Sequence, residues 1–154
     1  MKQILFVCTG NTCRSPMASA ILARVLESNG HFDVVVGSAG TGAWEGSPAS
    51  EGAYLACLEQ GLDLSAHRAR LLSQALVEES AVILTMSRTH LARVRELGGG
   101  GRAHLLTEFA ESGGPNGEIA DPFGGPMDEY REAFRSLAGL MPAVAARIGG
   151  MGSS

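Results

Sequence analysis

Cys8 and Arg14 stand with five residues between them in Val7-Cys8-Thr9-Gly10-Asn11-Thr12-Cys13-Arg14-Ser15-Pro16. Thiolate is the reactive form of cysteine, and its pKa falls from about 8.5 when the sulfur lies at a helix N-terminus beside a cation. Arg14 supplies that cation. A loop closing on a helix N-terminus also turns backbone N–H groups inward, and such a concavity binds phosphate-like oxyanions. Thr9, Gly10, Asn11, Thr12, Cys13, Arg14 and Ser15 are thus expected to form a phosphate-binding loop with Cys8 as nucleophile. Phosphoryl transfer to Cys8 would give a phosphocysteine, and the fork of Arg14 would neutralise the equatorial oxygens in a way that lysine cannot.

The leaving group then needs a proton. Asp121, in Ala120-Asp121-Pro122-Phe123-Gly124-Gly125-Pro126, is the candidate general acid, because Pro122 and two glycines shape a turn that would hang over the same crevice. As a carboxylate it would take a proton from water in the second step. Ser15 could donate a hydrogen bond to the Cys8 sulfur, and Asn11 could brace the loop through its amide.

These groups need a scaffold. Residues 3–7 form an apolar run too short for a helix and suited to a buried parallel strand. Apolar residues recur at three- and four-residue steps over 15–29, with Pro16 in the first turn and Gly30 past the end, which predicts a helix. Residues 32–36 read as a second strand, ending at Gly37-Ser38-Ala39-Gly40. A loop over 41–48 precedes helices over 49–60 and 71–79. A strand over 81–86, a helix over 88–97, a flexible glycine turn over 98–101 and a strand over 103–106 follow. Residues 108–121 read as a loop or short helix, and 127–148 as a long helix interrupted or bent near Pro142. Alternation in this order predicts an α/β fold, a doubly wound open four-stranded parallel sheet with helices on both faces and a ligand outside the strand C-termini. One domain over 1–148 and a flexible tail over 149–154 are expected.

A net charge of −4 with pI near 5.5 gives no broad attraction to nucleic acid or anionic lipid. The first residues are too short for a signal-peptide core, and no segment approaches the ~20 apolar residues of a membrane span. A cytoplasmic protein is expected. Cys8, Cys13 and Cys57 include no CxxC pair, which argues against a disulfide framework and a structural zinc site. No metal or cofactor is called for.

The stretch Cys8 to Pro16, together with Asp121-Pro122, resembles the low-molecular-weight protein tyrosine phosphatases over essentially the whole chain. Ser38-Ala39-Gly40 and the stretch from Gly61 to Arg70 resemble the same family. By that resemblance, Asn11, Ser38 and His67 form a hydrogen-bond network behind the loop together with Ser15, and the substrates are phosphorylated proteins. Tyrosine-specific members carry a bulky aliphatic residue where Thr12 stands and tyrosines where Phe123-Gly124 stands. Thr12 and Asp121-Pro122-Phe123-Gly124-Gly125 instead resemble the bacterial protein arginine phosphatases. A hydroxyl at Thr12 and a carboxylate at Asp121 suit a planar guanidinium, whereas an aromatic slot suits phosphotyrosine, and Phe123 could line one.

Other residues carry plainer readings. Cys13 is either a passive core thiol or the partner of Cys8 in a reversible disulfide that protects the nucleophile, a role the resemblance also suggests. Cys57 reads as core, and Trp44 as either a wall of the cleft or simple packing. His31, His90 and His104 share no ligand spacing and read as surface or loop groups. Two further classes compete. Arsenate reduction would need relay cysteines around 81–88, where none occurs, and a phosphocarrier would have no use for Asp121.

Overall fold

The computed structural model describes residues 2–110 and 117–151. Its centre is β1, Lys2–Cys8, buried without interruption from Ile4 to Cys8. A strand buried on both faces must pair on both edges. β1 runs parallel to β2, Val34–Gly40, on one side and to β3, Val82–Thr85, on the other; β4, Ala103–Leu105, pairs with β3, giving the order β2-β1-β3-β4. The chain leaves β1 in one direction and later returns on its other side, so the connections diverge at the C-terminal end of β1. That divergence opens a crevice, and Cys8 stands at it.

Alternate residues of β1 feed two cores. Ile4, Phe6 and Cys8 pack with Met17, Ile21 and Leu22 of α1, Arg14–Ser28, and with Leu137, Met141 and Val144 of α6, Met127–Gly150. Leu5 and Val7 pack on the other face with Val77 of α3, Gln74–Glu79, and with Leu91 and Val94 of α4, Arg88–Glu96. Each fully buried side chain of this size contributes roughly 1.5–3 kcal/mol. A central strand buried on both faces, its side chains facing alternate sides, therefore holds helices to both faces, as the sequence predicts. The helices α2, Glu51–Glu59, and α5, Leu106–Phe109, complete the first layer.

The structure moves several boundaries. β2 starts two residues later than the β-rich run and continues through Gly40, because Ser38, Ala39 and Gly40 pair with Phe6, Val7 and Cys8. The glycine run forms a helix-ending turn, with Gly99 N–H bonded to the Val94 carbonyl, and then a 3-10 turn at Gly100–Arg102. α6 passes through Pro142 as one element and reaches Gly150, two residues into the segment expected to be a tail. Met151 follows it, and residues 152–154 of that tail and 111–116 of the expected loop lie outside the described residues. No described helix is long and apolar enough to cross a membrane.

Ser50, Ser73 and Ser87 cap α2, α3 and α4, their side chains accepting from the N–H groups of Ala53, Leu76 and His90. α1 has no capping side chain. The positive end of its dipole therefore abuts the loop that leads into it, a polarity that favours anions.

Candidate active site

Between β1 and α1 the chain must turn within a few residues, and Asn11 does so with φ of 56°, the one non-glycine positive φ among the described residues. Asparagine tolerates this region better than most side chains. Both ends of its buried amide are bonded: Oδ1 accepts the Arg70 N–H at 2.9 Å, and Nδ2 donates to Ser15 Oγ at 2.8 Å. Ser15 accepts there and keeps its own proton for Cys8 Sγ, 2.9 Å away, to which it donates when the sulfur is the thiolate. A line of donors therefore runs from the Arg70 backbone through Asn11 and Ser15 to the sulfur. His67 Nε2 donates to the Asn11 carbonyl at 2.7 Å, and the carbonyl, a pure acceptor, fixes the proton on Nε2.

Burial is the largest influence on Cys8 and raises its pKa; the Ser15 hydroxyl and N–H, the Arg14 charge and the Asn11 N–H all lower it. Burial prevails on balance and the Cys8 pKa stands raised, while these loop contacts oppose that rise by favouring the thiolate. Burial also pushes Cys57 up, to about 12, in keeping with a core thiol.

The loop is clamped from behind. Thr41 and Gly42 donate N–H bonds to the carbonyls of Cys8 and Thr9, both at 2.9 Å. A Cβ at Gly40 would collide with the Thr9 carbonyl and lie 2.9 Å from the Asn11 nitrogen, so only glycine admits this approach. Ser38 departs from the expected network. It is buried, but its carbonyl, not its hydroxyl, takes part, accepting from Arg70 Nε at 3.2 Å. Ser50, already the cap of α2, donates its N–H to the Thr12 carbonyl and lies 3.1 Å from Cys13 Sγ. Tyr130 packs beside this pair, its hydroxyl accepting the Gly124 N–H at 3.4 Å.

Asp121 arrives from across the molecule. The Ile119 N–H bonds to the Met86 carbonyl just beyond β3, and the Ile119 carbonyl accepts from Arg14 Nη1 at 2.9 Å. Asp121 Oδ2 then lies 3.5 Å from Arg14 Nη2, while Oδ1 accepts the Phe123 N–H at 3.1 Å. The arginine is buried and the carboxylate side chain 46% exposed, so the acid faces the opening. Cys8, Thr9, Gly10, Thr12, Cys13, Arg14, Asp121 and Phe123 line one cleft of about 190 Å3. Phe123, 70% exposed, stands at its rim. Trp44 is 83% exposed and neither lines the cleft nor packs into the core.

One histidine read as a surface group belongs here. His90 is 3% exposed, its Nε2 lies 2.8 Å from Thr9 Oγ1, and its Nδ1 lies 2.9 Å from Ser87 Oγ. Ligand spacing could not reveal it. The usable signal was Ser87 preceding His90 by three residues just after a strand, a helix start that must lie at the ligand end of the sheet. Burial first, then the Arg14 charge, push His90 down to about pKa 4, with Asp121 and Glu118 opposing. The unfolded chain, with histidine near 6.5, binds a proton in this window that the folded chain refuses. Stability should therefore fall as pH drops from about 6.5 to 4 and lose nothing further from this group below that. The loss amounts to up to about 3 kcal/mol. His67, shifted down chiefly by burial, adds with the same sign. Urea unfolding between pH 7 and 4 should show this slope and a shallower one in His90→Phe; identical slopes would contradict it.

Residues 3–150 match the family described as low molecular weight phosphotyrosine protein phosphatase. A protein-arginine-phosphatase of Geobacillus stearothermophilus is 39% identical over 146 residues, covering 95% of each chain. The low molecular weight protein-tyrosine-phosphatase PtpB of Staphylococcus haemolyticus is 36% identical over 140 residues, 90% of this chain and 94% of that one. Among solved structures, YwlE arginine phosphatase, in a cysteine-to-serine mutant with a phosphorylated active-site serine, superposes with a TM-score of 0.88. It is 32% identical and covers 97% of each chain.

Proposed function

The chain belongs to the low molecular weight phosphotyrosine protein phosphatase family, and from that premise we propose that it hydrolyses phosphoarginine in proteins through a phosphocysteine on Cys8. The observation that supports this reading is the gathering of Cys8, Arg14, Thr12 and Asp121 on one cleft. In the first step Cys8 Sγ attacks phosphorus, the S–P bond forms and the P–N bond breaks. Asp121 gives its proton to the departing guanidine nitrogen. Arg14 and the loop N–H groups hold the equatorial oxygens. In the second step water attacks phosphorus, Asp121 takes its proton, and the thiolate leaves with Ser15 donating to it.

Thr12 and Phe123 are the proposed selectors. The Thr12 hydroxyl offers a polar contact where an isoleucine would offer hydrocarbon, and Asp121 can engage a guanidinium as well as protonate it. The rival reading, phosphotyrosine hydrolysis by the same steps, draws support from the exposed Phe123 ring at the rim and from the tyrosine phosphatase relative. The substrates are proposed to be cytoplasmic phosphoproteins. kcat/KM on phosphoarginine and phosphotyrosine peptides, with Cys8→Ser as blank, decides between the two. Phosphoarginine should be preferred, and Thr12→Ile should move the ratio toward phosphotyrosine by about tenfold or more. A preference for phosphotyrosine in the unaltered chain would overturn the arginine reading, and an unmoved ratio in Thr12→Ile would remove Thr12 as selector.

A further inference from the structure

Thr9 is the one hydroxyl on the cleft that is bonded to a buried histidine, and the order of protons along that contact can be worked out. Ser87 Oγ caps α4 by accepting the His90 N–H at 3.4 Å. In the order of protons that leaves the Thr9 hydroxyl free to donate, the Ser87 O–H donates to His90 Nδ1, 2.9 Å away. Nδ1 is then an acceptor, and a neutral imidazole must carry its proton on Nε2. That N–H donates to Thr9 Oγ1 at 2.8 Å. The Thr9 hydroxyl, on an exposed residue at the cleft wall, has its acceptor side occupied and its proton free to turn into the cleft. The opposite order would spend the Thr9 proton on Nε2 and turn the Ser87 proton, on a half-buried residue, toward solvent.

We propose that His90 is a positioning residue for phosphoryl transfer, holding the Thr9 hydroxyl as a side-chain donor to the oxygens of the transferring phosphoryl group. The proposal rests on the reading of the Cys8 cleft as the phosphoryl-transfer site. Ser87, His90 and Thr9 form a relay from the N-terminus of α4 to the loop, on the side away from the line that runs from Arg70 to Cys8. The sulfur is served by Ser15 and the phosphoryl oxygens by Thr9, so the two sets of donors act on opposite ends of the same reacting bond. A hydroxyl fixed in advance costs no reorientation in the transition state, where charge on these oxygens must be met.

The test is a double-mutant cycle on Thr9→Val and His90→Phe, read as kcat and KM separately. Two substrates are used, a phosphoarginine peptide and para-nitrophenyl phosphate, so that an error about the natural substrate does not silence the result. Each single variant should lower kcat about tenfold or more, with KM changed less than about twofold, and the double variant should be no slower than either single. Losses that multiply would overturn the proposal, because His90 would then act by a route other than Thr9. His90→Gln, which places an amide N–H near the position of Nε2, should restore most of the activity, whereas His90→Asn, which reaches only toward Nδ1, should not. If His90→Phe fails to fold, judged by circular dichroism, the Gln and Asn pair decides: equal activity in those two variants would overturn the proposal. Loss of all activity in Cys8→Ser, with a multiplicative cycle, would leave the phosphocysteine reading standing and remove only the role of His90.

Discussion

Cys8→Ser is expected to lower kcat by about 10^4-fold or more, to the scale seen when a nucleophile is deleted. A serine hydroxyl is almost wholly protonated at neutral pH. The Ser15 proton that now points at the sulfur would then lower the nucleophilicity of any alkoxide it met. What transfers slowly also leaves slowly, because an alkoxide is a far poorer leaving group than a thiolate. The variant should therefore release at most one equivalent of the leaving group and no free phosphate. A phosphorylated active-site serine of this kind is present in the related YwlE arginine phosphatase mutant. Phosphate and leaving-group release, followed separately, check it. Steady turnover in the variant would place the nucleophile elsewhere.

Asp121→Asn should lower kcat on a phosphoarginine peptide by about 10^2- to 10^4-fold, the usual worth of a positioned acid or base. An amide neither gives nor takes the proton, yet it keeps the size of the group and an oxygen to accept the Phe123 N–H. The turn should survive, and melting temperature should change little, because a half-exposed ion pair with Arg14 contributes little to stability. The leaving group decides which step suffers. para-Nitrophenolate needs no protonation, so its release should be spared while dephosphorylation of Cys8 becomes limiting, and an initial burst of nitrophenol should appear. Undiminished phosphate release from both substrates would favour the phosphocarrier reading.

The gathering of the cleft residues was legible where it was local. Cys8 to Ser15 is one turn of chain whose residue types carry their roles with them, and the apolar run of β1 with the stripe of α1 fixes where that turn sits. Asp121 was legible because its turn residues mark a loop after the last strand. Contacts made across the fold were not. His90 meets Thr9 over 81 positions, and the Arg70 N–H meets Asn11 over 59, through tertiary register that no short-range spacing encodes. Ser38 shows the same limit from the other side: the family pattern places it correctly at the end of β2, but its carbonyl rather than its hydroxyl does the bonding. The extension of β2 to Gly40 was hidden because glycine reads as a breaker, whereas here it permits a close approach beneath Thr9.

The covalent step itself offers the most direct measurement. Asp121→Asn mixed with para-nitrophenyl phosphate, quenched within the burst and mapped by mass spectrometry, should carry one phosphoryl group on the peptide containing Cys8, decaying as free phosphate appears. A phosphoryl group on any other residue, or turnover with no covalent phosphoenzyme, would contradict the account.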